Sequence, residues 1–140
     1  MKKILFALAI LFVVFSMTYC GNTQRTAASA NALFRDKWKL KELEGQVIPD
    51  SIRSSFEFSE GNISGNTGCN QLSAGFMPGR KQTITFTPQA LTKMACPDEN
   101  VAALETKFLD ALSRSTRWSM KGSELWLGNE ETTLIKLKPF

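Results

Sequence analysis

The sequence contains no histidine. That excludes histidine-based triads and removes the side chain that most often moves protons near neutral pH. It also removes the commonest zinc ligand, and two spaced cysteines without histidine are a poor metal site. Neither a P-loop nor a dinucleotide fingerprint occurs. Glu57, Glu60, Asp98 and Glu99 could form a carboxylate pair in space, but nothing in their spacing selects them over a solvated surface. After the N-terminal segment no apolar run approaches the roughly 20 residues that span a bilayer. These absences predict a protein without catalytic residues, metal or cofactor.

What is present begins at the N-terminus. Met1-Lys2-Lys3 is a short positive start, followed by an apolar run from Ile4 to Phe15 and a polar stretch from Thr18 to Thr26. A run of about 12 residues is too short for a spanning helix and fits an export signal; a permanent anchor is the alternative. Cys20 sits just past the run, where a lipoprotein cysteine belongs, although Tyr19 stands where a small residue is usual. Ala28-Ser29-Ala30 is the competing cleavage site. The expected organisation is an export signal over residues 1–20, a flexible linker over 21–35 and one domain over 36–140. The expected location is the bacterial cell envelope, with Cys20 acylated as a membrane anchor. Of the 17 basic residues, Lys2 and Lys3 leave with the signal while all 13 acidic residues stay, so the mature charge is +2 rather than +4. A clustered basic face for nucleic acid is not indicated.

The domain alternates. Lys37 to Lys41, Ser55 to Ser59, Gln82 to Thr87, Arg117 to Met120, Glu124 to Leu127 and Thr132 to Lys138 read as strands, and another runs from Ile63 toward Asn70. Gly45 to Ser51 reads as a loop, and Gly75 to Arg80 as irregular. One helix is predicted from Asp98, its cap, to Ser113. Val101, Leu104, Phe108 and Leu112 form its apolar stripe, with Glu105, Lys107 and Asp110 facing away. Short connections favour antiparallel neighbours. The fold class is therefore α+β, with about seven mostly antiparallel strands in a curved sheet or partly open barrel packed on one amphipathic helix. Phe56, Phe58, Phe86, Phe108, Trp118 and Trp126 are expected mostly in its core; the alternative is an aromatic-lined cavity for an acyl chain.

The most specific stretch is Ile63 to Gly75. In an extended chain Ile63, Thr67 and Cys69 would share one face, and Asn66, Gly68 and Asn70 the other. The glycines point to a bulge or a close backbone approach. Asn66 and Asn70 could bond local backbone or line a polar ligand site. Gly65-Asn66-Thr67-Gly68-Cys69-Asn70, then Thr92-Lys93-Met94-Ala95-Cys96 before a helix, resembles the META domain, the family of the heat-shock protein HslJ. Trp38-Lys39-Leu40 and Gly122-Ser123-Glu124-Leu125 are similar too, so the resemblance runs from Asp36 to about Leu137. It implies one α+β domain, often on envelope lipoproteins, with Gly65, Asn66, Thr67, Gly68, Asn70 and Met94 as structural motif residues. It also implies association with heat stress, novobiocin resistance, motility or virulence, and similarity in fold to secretin pilot lipoproteins that hold an acyl chain. It implies no enzyme activity and no agreed ligand.

A disulfide between Cys69 and Cys96 is expected, which an exported compartment permits; two buried thiols or a redox pair are the alternatives. The expected function is a non-catalytic envelope protein supporting stress tolerance or envelope integrity through protein or lipid contacts. The alternatives are an acyl-chain carrier or pilot-like chaperone, and an inhibitor of an exported hydrolase presenting the loop from Met77 to Gln82.

Overall fold

The computed structural model describes residues 37–87 and 89–140. The expected export signal, Cys20, the linker and Asp36 lie outside the described residues. The described residues form ten strands, one α-helix and a short 3-10 turn at Arg80–Gln82. The strands are β1 (Trp38–Leu43), β2 (Gln46–Val47), β3 (Ser55–Ser59), β4 (Asn62–Asn66), β5 (Gln71–Pro78), β6 (Ile84–Phe86), β7 (Ala90–Leu91), β8 (Arg117–Lys121), β9 (Glu124–Gly128) and β10 (Thr133–Pro139). The helix, α1 (Glu99–Arg114), lies between β7 and β8.

All described pairings are antiparallel, in the order β6-β5-β4-β3-β1-β10-β9-β8, with β2 on β1 and β7 on β5. The two ends of this path nearly meet. Thr83 bridges Arg117, and the Ile84 N–H donates to Thr116 O at 3.0 Å. The result is an eight-strand, almost closed barrel with one helix, an α+β fold.

Period-two patterning positions the strands. Phe56 and Phe58 of β3 are each 1% exposed, while Glu57 between them is exposed. Glu60 and Gly61, both at positive φ (50° and 77°), make the two-residue turn into β4, the primed geometry that suits twisted hairpins. The stretch around Gly75 expected to be irregular is instead β5, with Leu72, Ala74 and Phe76 inward. Its glycine and small alanine hide an alternation that cross-strand pairing with β4 supplies. Likewise β2 forms inside the loop expected from Gly45 to Ser51, pairing Gln46 with Leu43 across a tight turn.

The helix begins where the sequence places it. Asp98 accepts the Asn100 N–H at 2.8 Å, satisfying one orphan donor of the first turn. Leu104, Phe108, Ala111 and Leu112 turn into the barrel against β1, β9 and β10. Phe108 stacks on Phe56 with ring centroids 4.6 Å apart. Phe58 meets Phe76 edge-on at 5.2 Å. Large side chains from strands and helix therefore occupy the interior. Two expected core aromatics are only half-buried, Phe86 and Trp126. Leu125 and Leu127 already take the inward positions of β9, so strict alternation sends Trp126 to the outer face.

Candidate functional site

The sequence motif lies where β4 leaves the sheet. Gly65 is still in register opposite Phe56, and a Cβ there would meet Ser55 O at 2.0 Å, so only glycine lets the two backbones approach this closely. After Asn66 the chain turns rather than staying extended. Gly68 adopts φ +122°, a conformation that L side chains rarely take. Asn66 Oδ1 accepts the Gly68 N–H at 2.7 Å, and the Thr67 N–H donates to Asn70 O at 3.0 Å. The strand expected from Ile63 toward Asn70 therefore ends at Asn66, where an asparagine amide bonds local backbone, and the alternation of faces stops there. The turn sends both Thr67 and Asn70 inward, at 2% and 6% exposure, while Asn66, Gly68 and Cys69 are half-buried.

Asn70 ties three segments together. Its Oδ1 accepts from Thr92 Oγ1 at 2.9 Å and from the Met94 N–H at 2.8 Å, which fixes the amide orientation. Its Nδ2 lies 3.3 Å from Glu105 Oε2, 3.5 Å from Cys96 Sγ and 3.8 Å from Cys69 Sγ. The two sulfurs are themselves at bonding distance, 2.11 Å, with Cα atoms 5.8 Å apart. Met94 contributes through its backbone; its side chain is exposed.

Glu105 is the residue that sequence reasoning missed. It was expected to face away, yet it is 3% exposed. The Asn70 N–H donates to its Oε2 at 3.2 Å. The Thr67 hydroxyl lies within reach of both Glu105 Oε2 (2.9 Å) and Asn70 O (3.1 Å), with one proton to give. Among the described residues no lysine or arginine pairs with Glu105. Neutral donors alone support a buried carboxyl, an arrangement that is costly for an ion. The signal was available: at about 100° per residue, position 105 lies only about 20° from position 112 on the helical wheel. The acidic side chain, not the angle, made it read as solvent-facing.

A second polar assembly covers the outside of β1, β9 and β10. Lys136 Nζ stands 4.7 Å from the Trp126 ring centre, and Lys136 pairs with Glu42 at 2.7 Å. Trp126 Nε1 donates to Glu124 at 3.1 Å, and Glu124 also pairs with Lys41. The Lys41 hydrogen bond, aided by that of Trp126, holds the Glu124 carboxyl below the ordinary glutamate range. A shallow groove of about 620 Å³ runs here between Glu44, Arg114, Trp126 and Lys136. Glu44 pairs there with Arg114 and Glu42 with Lys136, as on a solvated face. Of the acidic residues considered as a pair, Glu57 and Glu60 lie on the β3–β4 hairpin, Asp98 and Glu99 at the helix start, and no described contact joins the two sets. The segment from Met77 to Gln82 is exposed and carries the β5–β6 connection, with Met77 and Pro78 inside β5.

The motif strand, the cysteine segment and the helix thus converge in the described order on one buried cluster. The META domain matches residues 31–139 of this sequence. The chain belongs to the META domain family. Three solved structures resemble this META domain. One is a protein solved by NMR, 21% identical, covering 78% of this chain and 92% of its own, with a TM-score of 0.62. Another, also by NMR, is a protein from Burkholderia xenovorans, 18% identical, covering 81% and 87%, with a TM-score of 0.62. The third is a crystal structure of a DUF4847 family protein from Bacteroides vulgatus, 15% identical, covering 76% and 93%, with a TM-score of 0.55. At these identities the likeness concerns the fold alone. A comparison with the curated proteins found no match.

Proposed function

We propose that this META domain is a non-catalytic, membrane-tethered envelope protein that supports stress tolerance or envelope integrity through contacts on its outer surface. The observation that carries this reading is the filled interior. Phe108 of α1 stacks on Phe56 in the middle of the barrel, and Trp38, Phe56, Phe58 and Phe76 are each no more than 2% exposed. A barrel packed in this way favours surface contacts over an enclosed acyl chain. The polar cluster at the motif supports the same view: Thr67, Asn70 and Glu105 spend their hydrogen bonds on one another and on Thr92 and Met94. Tethering rests on the N-terminal sequence, a positive start and a short apolar run ahead of Cys20. Among the described residues no helix is long and apolar enough to cross a membrane.

The test is made in cells of the source bacterium. Cys20→Ala should move the folded domain from the membrane fraction to the soluble fraction, and mass spectrometry of the native protein should show an acylated N-terminus. Crosslinking in the intact envelope should then trap a defined protein or lipid that the soluble variant loses. An unmodified mature chain beginning at Asn31 refutes the tether. A co-purifying fatty acid held inside the barrel refutes the surface reading and supports a carrier.

A further inference from the structure

Cys69 Sγ, Cys96 Sγ and a Glu105 carboxylate oxygen all lie within 4.8 Å of one another. We propose that, once the Cys69–Cys96 disulfide is reduced, this triangle is a binding site for a thiophilic divalent cation of the zinc type, with two thiolates and the Glu105 carboxylate as ligands. The argument starts from Glu105. It is 3% exposed and, among the described residues, has only the neutral donors Thr67 and Asn70. A cation at the sulfurs gives this buried carboxyl the positive charge that the oxidised fold does not provide.

Distances fit such an ion. Zinc binds sulfur at about 2.3 Å and carboxylate oxygen at about 2.0–2.2 Å. Two thiolates on one ion therefore sit at most about 4.6 Å apart, a separation within reach of two cysteines whose Cα atoms are 5.8 Å apart. Cys96 lies in the segment between β7 and α1, which has no strand or helix structure and is mostly exposed, so it can yield. The surrounding shell is already built. Asn70 Nδ2 lies 3.5 Å from Cys96 Sγ and 3.8 Å from Cys69 Sγ, and N–H donors of this kind stabilise thiolates. Thr67 and the Asn70 N–H hold the carboxylate oxygen in position. Three protein ligands leave a fourth position for water.

The chemistry balances. A dithiol reductant transfers two electrons to the Cys69–Cys96 bond and becomes a disulfide itself, leaving two thiols. The cation then replaces two thiol protons, which are released to solvent. The oxidised and metal-bound states exclude each other, so the site is gated by redox state.

The experiment uses the purified mature chain, oxidised or reduced without oxygen, with cobalt(II) as spectroscopic probe and zinc as competitor. The reduced chain should develop sulfur-to-cobalt charge-transfer absorbance with one ion per chain, bleached by zinc, and the oxidised chain should not. Glu105→Gln should weaken binding by at least about tenfold, since even partners outside the ligand set are worth 10–100-fold. Absence of thiolate absorbance in the reduced chain, or equal affinity in a folded Glu105→Gln variant, overturns the proposal. If that variant does not fold, X-ray absorption of the zinc-loaded wild type decides. Two sulfurs at about 2.3 Å with oxygen at about 2.0 Å support the site, and a shell without sulfur or without oxygen overturns it.

Discussion

Replacing Phe108 by alanine tests whether the barrel is solid. Phe108 is 1% exposed and its ring lies 4.6 Å from that of Phe56, inclined by 17°. Taking a buried phenylalanine out of contact forfeits about 1.5–3 kcal/mol of transfer free energy. The stacked pair adds about 0.5–1.5 kcal/mol. A cavity that the surrounding strands cannot collapse raises the total to about 3–5 kcal/mol. For a domain of this size each kcal/mol lowers the midpoint temperature by roughly 4–8 °C, so the variant should melt at least about 12 °C lower. Urea unfolding followed by tryptophan fluorescence should show a lower midpoint with an unchanged slope. Half-buried Phe86, changed to alanine in parallel, should lose distinctly less. A loss under about 1 kcal/mol for Phe108→Ala, joined by stabilisation on adding a fatty acid, would falsify the solid core and put a cavity in its place.

The remaining predictions concern the cluster and the surface. Reducing the Cys69–Cys96 bridge, which spans 27 residues, should cost roughly 3.5 kcal/mol on the chain-entropy account, read as the difference between denaturation curves with and without reductant; coincident curves would show that the bridge constrains nothing. Thr67→Val keeps the shape but removes the hydroxyl that reaches Glu105, and should cost about 1.5–3 kcal/mol in the same assay; a neutral result would show that the Thr67–Glu105 hydrogen bond does not stabilise the fold. Hydrogen bonds from Lys138, then Lys39, hold the Asp50 carboxyl below the ordinary aspartate range. Because the folded value is the depressed one, its stabilising effect is present above the unfolded aspartate value and is lost as pH falls through the folded one. Carboxyl NMR titration should place Asp50 lower in wild type than in Lys138→Gln, and an identical midpoint would remove the interaction from the account.

Much of the fold was legible because hydrophobic periodicity survives in single elements. The helix could be read from its cap Asp98 to Ser113 by the stripe from Val101 to Leu112, and it spans Glu99–Arg114, within a residue of those limits. β3 could be read because Phe56 and Phe58 are large and their neighbours polar. β5 could not. Its inward residues include Ala74, its outward residues include Gly75, and its stability comes from pairing with β4, which no local pattern records. The motif could be located but not built in three dimensions. Its centre is Glu105, 35 residues from Asn70 in sequence, and an acidic side chain at the edge of an apolar stripe looks like any solvated one until the turn at Gly68 brings Asn70 beneath it. Trp126 went the other way. Its size argued for the core, but its place between two inward leucines argued for the surface.

The order of the strands has a consequence for how the chain reaches its fold. β3 to β6 form one stack of neighbouring hairpins and β8 to β10 another, each assembled from residues close in sequence. Along the strand path β1 against β10 joins the two stacks, from Trp38↔Pro139 to Leu43↔Ile135, with the Phe140 N–H closing onto Lys37 O at 2.8 Å, while the single Thr83–Arg117 bridge joins their far ends. The pairing at the middle of the sheet is thus the one between the first and last strands. Loop-closure entropy for that contact is the largest in the domain, which places the fold among slow, high-contact-order topologies. A nascent chain can zip each hairpin stack as it emerges, yet the barrel cannot join until its last strand is free.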